Sequence, residues 1–446
     1  MKKEIDMING KLFPEMLRFS LPLVLSGVLQ VMYNAADSLI VGIYEGSNAV
    51  GAVGSVGPII NIMLNLFIGL SVGTNVLVAR YWGGNNKKMV KKTSDTAIII
   101  ALIAGILVGV LGFFLAEFMA KLVKLDPEII DMSILYMKIY FLGMPFAALY
   151  NLISSTMRGI GNTKGPMVCL IVSGMVNVIF NFIFVKFFGM GVAGVATATV
   201  ISQIVSVVMI IYMLKKSPVG VNFKNITFDK NIFKNTVKIG VPAGIQGMVF
   251  SFSNTIIISA VNSFGAAAAA ANTISGHIEN TIYVALNAIT QAVITFTSQN
   301  IGAKKPERIN KIMLRGYIIS ATAGLAMSMV AYLLKDQFIE LFAPGEADVK
   351  AFATIKYTYV VLPYFIISLM EIPAGMLRGM GATFISMLMS VIGVCGVRIV
   401  WILSVFPIFN TLESLYVSYP ISWVGTSVAY LIAYIILKKR LDKSLI

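Results

Sequence analysis

The chain has little of what soluble chemistry works with: one histidine, two cysteines and only 12% charged residues in 446. A lone imidazole with no HExxH and no CxxC excludes the common zinc sites. Cys169 and Cys395 both fall inside apolar runs, so they read as small buried hydrophobes and not as a disulfide framework. A GxSxG accompanied by a base is also absent, which leaves an intramembrane hydrolase, the rival from another functional class, without machinery. The chain is read as not an enzyme. What it has instead is hydrocarbon, with 57% hydrophobic residues and a mean hydropathy of +0.85. That is too little polar surface for a soluble domain.

Runs of about 20 apolar residues, the length that crosses a bilayer as a helix, recur from end to end. They predict an all-α membrane protein with twelve transmembrane helices. The first six spans are 16–44, 49–81, 95–121, 132–157, 166–187 and 190–214; the second six are 236–262, 267–301, 312–334, 351–377, 382–405 and 415–437. The charged N-terminus leads straight into the first span, so it is read as retained and not as a cleaved leader. The net charge of +15 invites a nucleic-acid reading, but its distribution opposes that. Lys and Arg gather before span one (Lys2, Lys3, Lys11) and after spans two, four, six, eight and ten, in alternate loops. The last cluster, Lys438, Lys439, Arg440 and Lys443, closes the chain. By the positive-inside rule both termini are expected in the cytoplasm of a multi-pass protein of the cell membrane, with lipid and no nucleic acid as partners.

The two halves resemble each other at a spacing of about 220 residues. Ser20-Leu21-Pro22 recurs as Gly240-Val241-Pro242, and Met157-Arg158-Gly159-Ile160-Gly161 as Leu377-Arg378-Gly379-Met380-Gly381. With an even number of spans per copy, the repeat is parallel: two pseudo-symmetric six-helix bundles about an axis along the membrane normal. The expected organisation is an N-terminal bundle over 12–214, a basic cytoplasmic linker over 215–235 and a C-terminal bundle over 236–440. Two such bundles leave a cleft between them, the architecture of secondary transporters that work by alternating access.

Asp37 is the anomaly of the first span. An ionised carboxylate in hydrocarbon costs several kcal/mol and by default marks function. Gln30, Tyr33 and Asn34 share its side of the helix by spacing and are assigned to the cleft. Asn177 and Asn181, one turn apart in span five, and Thr199 in span six reach a similar depth. Carboxylate, amide and hydroxyl oxygens together suit a proton or Na⁺, although Asn and Thr also serve plain interhelical hydrogen bonding. The second half carries Ile257 where the first has Asp37. It offers instead Glu279, Tyr283, Asn287 and Gln291 as a polar stripe down span eight, with Glu371 in span ten and His277 near the outer interface. Arg398 in span eleven is expected to snorkel to the outer interface.

With these residues in view, the chain resembles the multidrug and toxic compound extrusion (MATE) transporters. The resemblance rests on the twelve spans in parallel halves, on Tyr33-Asn34-Ala35-Ala36-Asp37-Ser38, on the Arg-Gly-x-Gly-x-Thr loops at Arg158 and Arg378, and on Asn300-Ile301-Gly302-Ala303. It covers about residues 12 to 440 and is strongest toward bacterial DinF-like members. It implies a monomeric antiporter without a cofactor that exports cationic or amphipathic small molecules against inward H⁺ or Na⁺. Asp37 would be the coupling acid, a possible Na⁺ site, and Asn177, Asn181 and Thr199 its surroundings. Position 181 commonly holds Asp in such members; Asn here removes one negative charge, which weighs against a tight Na⁺ site. The span-seven acid of NorM-type members has no counterpart. A lipid-linked oligosaccharide flippase of the same superfamily is the alternative, opposed by the span count and by the few arginines expected inside.

Overall fold

The computed structural model describes residues 5–123, 125–222 and 225–445, which are helical with no strand among them. Lys2 and Lys3, named above, and Lys224 of the basic loop after the sixth span lie outside the described residues. The spans are α1 (Leu12–Glu45), α2 (Ser47–Gly83), α3 (Lys87–Leu122), α4 (Ile130–Leu142 with Met144–Gly159), α5 (Lys164–Phe187) and α6 (Gly191–Lys215). The second series is α7 (Lys230–Asn262), α8 (Ala266–Gly302), α9 (Pro306–Leu333), α10 (Ala347–Gly379), α11 (Thr383–Phe409) and α12 (Leu412–Asp442). The predicted span count holds if α4, bent by 48° at Gly143, is taken as one span. Pro145 at the start of its second segment explains the break, because it supplies no N–H and disfavours a helical residue before it. Several helices start earlier than expected, α3 at Lys87 instead of residue 95. The apolar run stops where the bilayer does, while the helix continues into water on its charged first turns.

The chain divides into two compact units, one comprising Leu25–Gly244 and the other Ile5–Val24 together with Ile245–Ile446. These boundaries lie inside α1 and α7, not in the 215–235 segment. Each long helix therefore begins in the unit built mainly from the other half of the sequence.

In the first unit α3 shows how such a bundle is held. Lipid gives helices no hydrophobic reason to associate, so packing of small residues does it. Ile103, Leu107, Leu111, Phe114 and Phe118 form an exposed stripe, while Ala101, Gly105, Gly109, Gly112 and Ala116 are buried. A Cβ on Gly105 would stand 2.5 Å from Pro145 Cα, and one on Gly109 2.8 Å from the Phe141 carbonyl oxygen. The glycines are what let the bent α4 lie against α3.

The basic segment ahead of α7 is docked and not free. Thr227 donates from N and Oγ1 to Asp95 Oδ2 at 3.3 and 3.1 Å, and the Asp229 N–H donates to Thr96 Oγ1 at 3.1 Å. Lys91 and Lys92 pair with Asp95 and Asp229 at 2.9 and 3.4 Å. Asp229 also caps α7, accepting from the N–H groups of Asn231 and Ile232 at 3.0 and 3.1 Å. The Ile232 N–H is the largest of the causes that hold its carboxyl below the usual carboxylate range.

In the second unit the core draws on Phe19 of α1, which meets Phe296 of α8 edge to face at 6.0 Å, and on Tyr357, Tyr416, Trp423 and Tyr430. Among the described residues, π-helical turns occur at Ile183–Phe187, Tyr357–Val361 and Val391–Gly396. Each follows or precedes a polar residue of the sites described next, in keeping with the tendency of such turns to mark function.

Candidate functional site

The first unit brings together Asp37, Asn177, Asn181 and Thr199 from three helices. Asn181 Nδ2 donates a very short hydrogen bond to Asp37 Oδ1 and a long one, 3.4 Å, to Asn177 Oδ1. Asn177 Nδ2 in turn donates to Thr199 Oγ1 at 3.3 Å. The chain of contacts joins α1, α5 and α6. It exists because Asn177 and Asn181 lie one turn apart on α5, and because Thr199 gives its own hydroxyl proton to the Val195 carbonyl at 3.0 Å and so keeps its lone pairs for Asn177. Asn181 is fully buried and its Oδ1 has no hydrogen-bond donor. A buried acceptor left unmatched beside a carboxylate is a place where a proton or a small cation would be welcomed.

Tyr33 fixes the rotation of α1. Its hydroxyl donates to the Ile171 carbonyl at 3.3 Å, and its ring covers Gly174 so closely that a Cβ there would fall 1.8 Å from Cε2. Gln30 and Asn34 are exposed on α1 and do not join this cluster. Tyr136 and Tyr140 of α4, 5.9 Å apart as tilted rings, stand in electrostatic range of Asp37. Sequence reading missed both. Their only signal was a tyrosine pair one helical turn apart in an apolar run.

The second unit adds to the polar stripe a partner from another helix. Glu279 is paired: Lys356 Nζ lies 3.1 Å from its Oε2, with side-chain exposures of 5% for Lys356 and 19% for Glu279. The ammonium also donates to Asn272 Oδ1 at 2.8 Å and to the Asn272 carbonyl at 3.4 Å, so its three protons are spent. Tyr416 donates to the same Asn272 oxygen at 3.4 Å. Lys356 was not singled out from the sequence, although an ammonium within an apolar run is itself a signal.

Farther along α8, Tyr283 accepts a hydrogen bond from Asn287 Nδ2 at 3.2 Å and lies in electrostatic range of Glu371. Glu371 is buried, and its Oε2 has no partner. Gln291 is half-buried, and His277 is exposed and stacks on Phe342 at 6.3 Å.

Arg398 does not snorkel. It is 5% exposed, donates from Nε to Ser422 Oγ at 3.1 Å, and lies 4.0 Å over the Tyr419 ring and 6.0 Å from that of Trp423. Aromatic faces take the place of water for a guanidinium, which is weakly hydrated to begin with. Arg398 is thus an interior arginine and, with Arg378, buried in the last turn of α10, one of two buried arginines among the described residues.

The pair Glu279–Lys356 carries a prediction. Lys356→Met leaves a carboxylate in an apolar interior with nothing opposite, and is expected to destabilise the protein by about 3 kcal/mol, read as a lower thermal midpoint in detergent. Glu279→Gln added to it should restore most of the loss. No recovery in the double variant would mean that the two side chains are not energetically coupled.

Comparison with known proteins agrees with this architecture. The MatE family model matches twice, over residues 22–183 and 242–403, once in each half of the repeat. Among similar proteins, the one named Probable multidrug resistance protein YoeA, from Bacillus subtilis, is 26% identical, covering 94% of this chain and 91% of its own. Multidrug export protein MepA from Staphylococcus aureus is 24% identical over 86% of each chain. In fold, the chain is similar to a MATE transporter solved in complex with MaL6, with a TM-score of 0.92 at 20% identity over 99% of this chain and 100% of that one. It is also similar to a multidrug resistance MATE transporter in an outward-facing conformation, TM-score 0.90 at 20% identity over 99% of each chain. This chain belongs to the MatE family, the multidrug and toxic compound extrusion transporters.

Proposed function

We propose that the protein exports cationic or amphipathic small molecules by antiport against an inward ion gradient, with Asp37 as the group that takes up the ion. The observation that carries this reading is the carboxylate of Asp37 held by Asn181 inside an apolar span, beside the unmatched Asn181 oxygen. The preferred ion is H⁺. With Asn at position 181 the cluster holds a single formal negative charge, which one proton cancels, and a neutral carboxyl is far cheaper in hydrocarbon than an ionised one. The Asn181 amide can turn to present its oxygen to the new O–H. Na⁺ is the second reading, favoured by the oxygens that Asp37, Asn177, Asn181 and Thr199 gather.

Protonation changes which backbone arrangement of α1 is cheapest, and Pro22, lacking an N–H, makes that helix easier to bend. Export follows if substrate binds the two arrangements unequally, as any coupling demands. Both termini lie on the cytoplasmic side of the cell membrane, the sense of the basic loops. Names of the relatives support the substrate class: MepA is a multidrug export protein.

The test is transport of a fluorescent cationic dye into inverted proteoliposomes, with a pH gradient and a Na⁺ gradient imposed separately. A response to the pH gradient alone is expected. A response to Na⁺ alone would move the assignment to the second reading, and uptake indifferent to both would remove ion coupling.

A further inference from the structure

The two units treat the same place in opposite ways. The turn between α2 and α3 and that between α8 and α9 share one backbone pattern: Asn85 and Lys304 both take φ of 54°, and the N–H groups of Asn86 and Lys305 donate to the Tyr81 and Asn300 carbonyls at 2.9 Å. In the helices that follow, buried Val90 and Ala97 match buried Ile309 and Gly316. By that register Asp95 of the first unit corresponds to Leu314 and Thr96 to Arg315. The proline repeat likewise sets Asp229 against Asn9.

In the first unit Asp95 and Asp229 neutralise Lys91 and Lys92 and tie down the segment leading into α7. In the second unit both carboxylates are gone and the corresponding place is hollow. A cavity of about 560 Å³ is lined by Asn9, Lys11, Arg308, Lys311, Leu314 and Arg315, together with Gly10 and Leu12. None of these four cations has a carboxylate partner within 4.0 Å among the described residues. Arg308 spends one terminal nitrogen on the Gly10 carbonyl at 2.8 Å, and its Nε is buried without an acceptor. Of the nearby acids, Asp6 lies in electrostatic range of Arg308 but not in contact with it. Asp6 accepts from the N–H groups of Ile8 and Asn9 at 3.1 and 2.9 Å, and Glu15 holds Arg18 at 3.1 Å.

We propose that this hollow binds the phosphodiester headgroup of an anionic phospholipid. Four cations converge on one cavity, and among the described residues only Asp6, at longer range from Arg308, offers them opposite charge, so an external anion is called for; Arg and Lys donors suit phosphate oxygens. Lipid is preferred to a free anion because the basic rim runs directly into apolar surface. Phe13 and Leu17 on α1, and Leu314 and Ile318 on α9, are exposed at one-turn intervals from the cavity into the span, where acyl chains would lie. A basic pocket at the end of membrane helices, on the side the basic loops assign to the cytoplasm, is the setting in which anionic headgroups bind. The assignment does not depend on the transport reading.

The test uses the full-length protein in mild detergent, titrated with phosphatidylglycerol, phosphatidylcholine or inorganic phosphate, and read by native mass spectrometry and thermal unfolding. Phosphatidylglycerol is expected to bind at least about tenfold more tightly than phosphatidylcholine. Lys311→Gln/Arg315→Gln should remove most of that preference, and Lys87→Gln/Lys88→Gln, equal in charge lost but in the first unit, should keep it. Asn9→Asp/Leu314→Asp, which gives the second unit the carboxylates of the first, should also abolish it. Equal retention of the two lipids by the wild-type protein, or equal loss in both Gln pairs, would overturn the proposal. So would stabilisation by inorganic phosphate alone at the lipid concentrations used, which would make the site one for a free anion.

Discussion

Asp37→Asn is expected to cut gradient-driven export by about 5- to 150-fold, the span of ordinary coupling free energies between two bound species, while leaving the folded protein intact. The substitution is nearly isosteric. An asparagine at 37 can still accept from Asn181 Nδ2 through its own amide oxygen, so the contacts joining α1 to α5 persist. What disappears is the capacity to change charge. A side chain that cannot take up a proton binds the ion equally badly in every arrangement of the transporter, and a ligand without differential affinity shifts no equilibrium. The informative measurement pairs dye export under a pH gradient with dye binding in its absence: export falls and binding stays within about threefold, a change of well under 1 kcal/mol. Asp37→Glu, which keeps the charge and lengthens the arm, should retain partial export. A wild-type export rate in Asp37→Asn, at equal expression and the same gradient, would take the coupling role away from this residue.

Gly69→Leu is expected to eliminate nearly all folded protein, because nothing around that position can give way. A Cβ on Gly69 would stand 2.3 Å from Gly244 N, 2.5 Å from the Gly240 carbonyl oxygen and 2.6 Å from Gly244 Cα. All three are main-chain atoms of α7. Across the seam, a Cβ on Gly240 would meet Leu70 Cα at 2.7 Å, and one on Gly73 would meet the Thr236 carbonyl oxygen at 2.4 Å. The two helices touch backbone to backbone. In a bilayer such contact supplies the association that hydrophobicity supplies in water. Forcing the helices apart loses the contacts of Gly69, Gly73 and Gly240 together, so the cost should exceed the ~1–3 kcal/mol typical of overpacking at a single core position. Fluorescence-detected size exclusion of a tagged protein reads the loss directly. Gly57→Leu, on the same helix but with open space where a Cβ would go, is the control and should leave the monodisperse peak unchanged.

Much of the fold was legible because bilayer thickness and backbone hydrogen bonding leave few choices. Apolar runs gave the spans, and the paired prolines at 22 and 242 gave the repeat. Depth along a helix follows from residue counting, which is why Asp37, Asn177, Asn181 and Thr199 could be grouped before any coordinates. Rotation about a helix axis and the identity of the neighbour do not follow from counting. Glu279 reads in the sequence as part of a polar stripe without a partner, because that partner, Lys356, lies on another helix far along the chain. Arg398 looked like an interfacial residue because its distance to the helix end suited snorkelling. Its actual surroundings, Tyr419 and Trp423, come from α12 and carry no charge that would flag them. The contacts of the linker could not be counted out either, for a related reason. The basic stretch before α7 has the composition of a tether, and what fastens it, Lys92, Asp95 and Thr96, lies on α3 far back along the chain.

The opening turns of α1 and α7 each lodge in the body made by the opposite half of the sequence, and this constrains how the protein can be made. During synthesis the earlier body cannot be finished until residues up to Gly244 have left the ribosome, so it waits in the membrane with the Gly69 seam unfilled. A gene divided between the halves would yield two polypeptides, each carrying the opening turns of a leading helix that belong to the other. Neither fragment is then expected to close alone, and co-expressed fragments would complement by exchanging those turns.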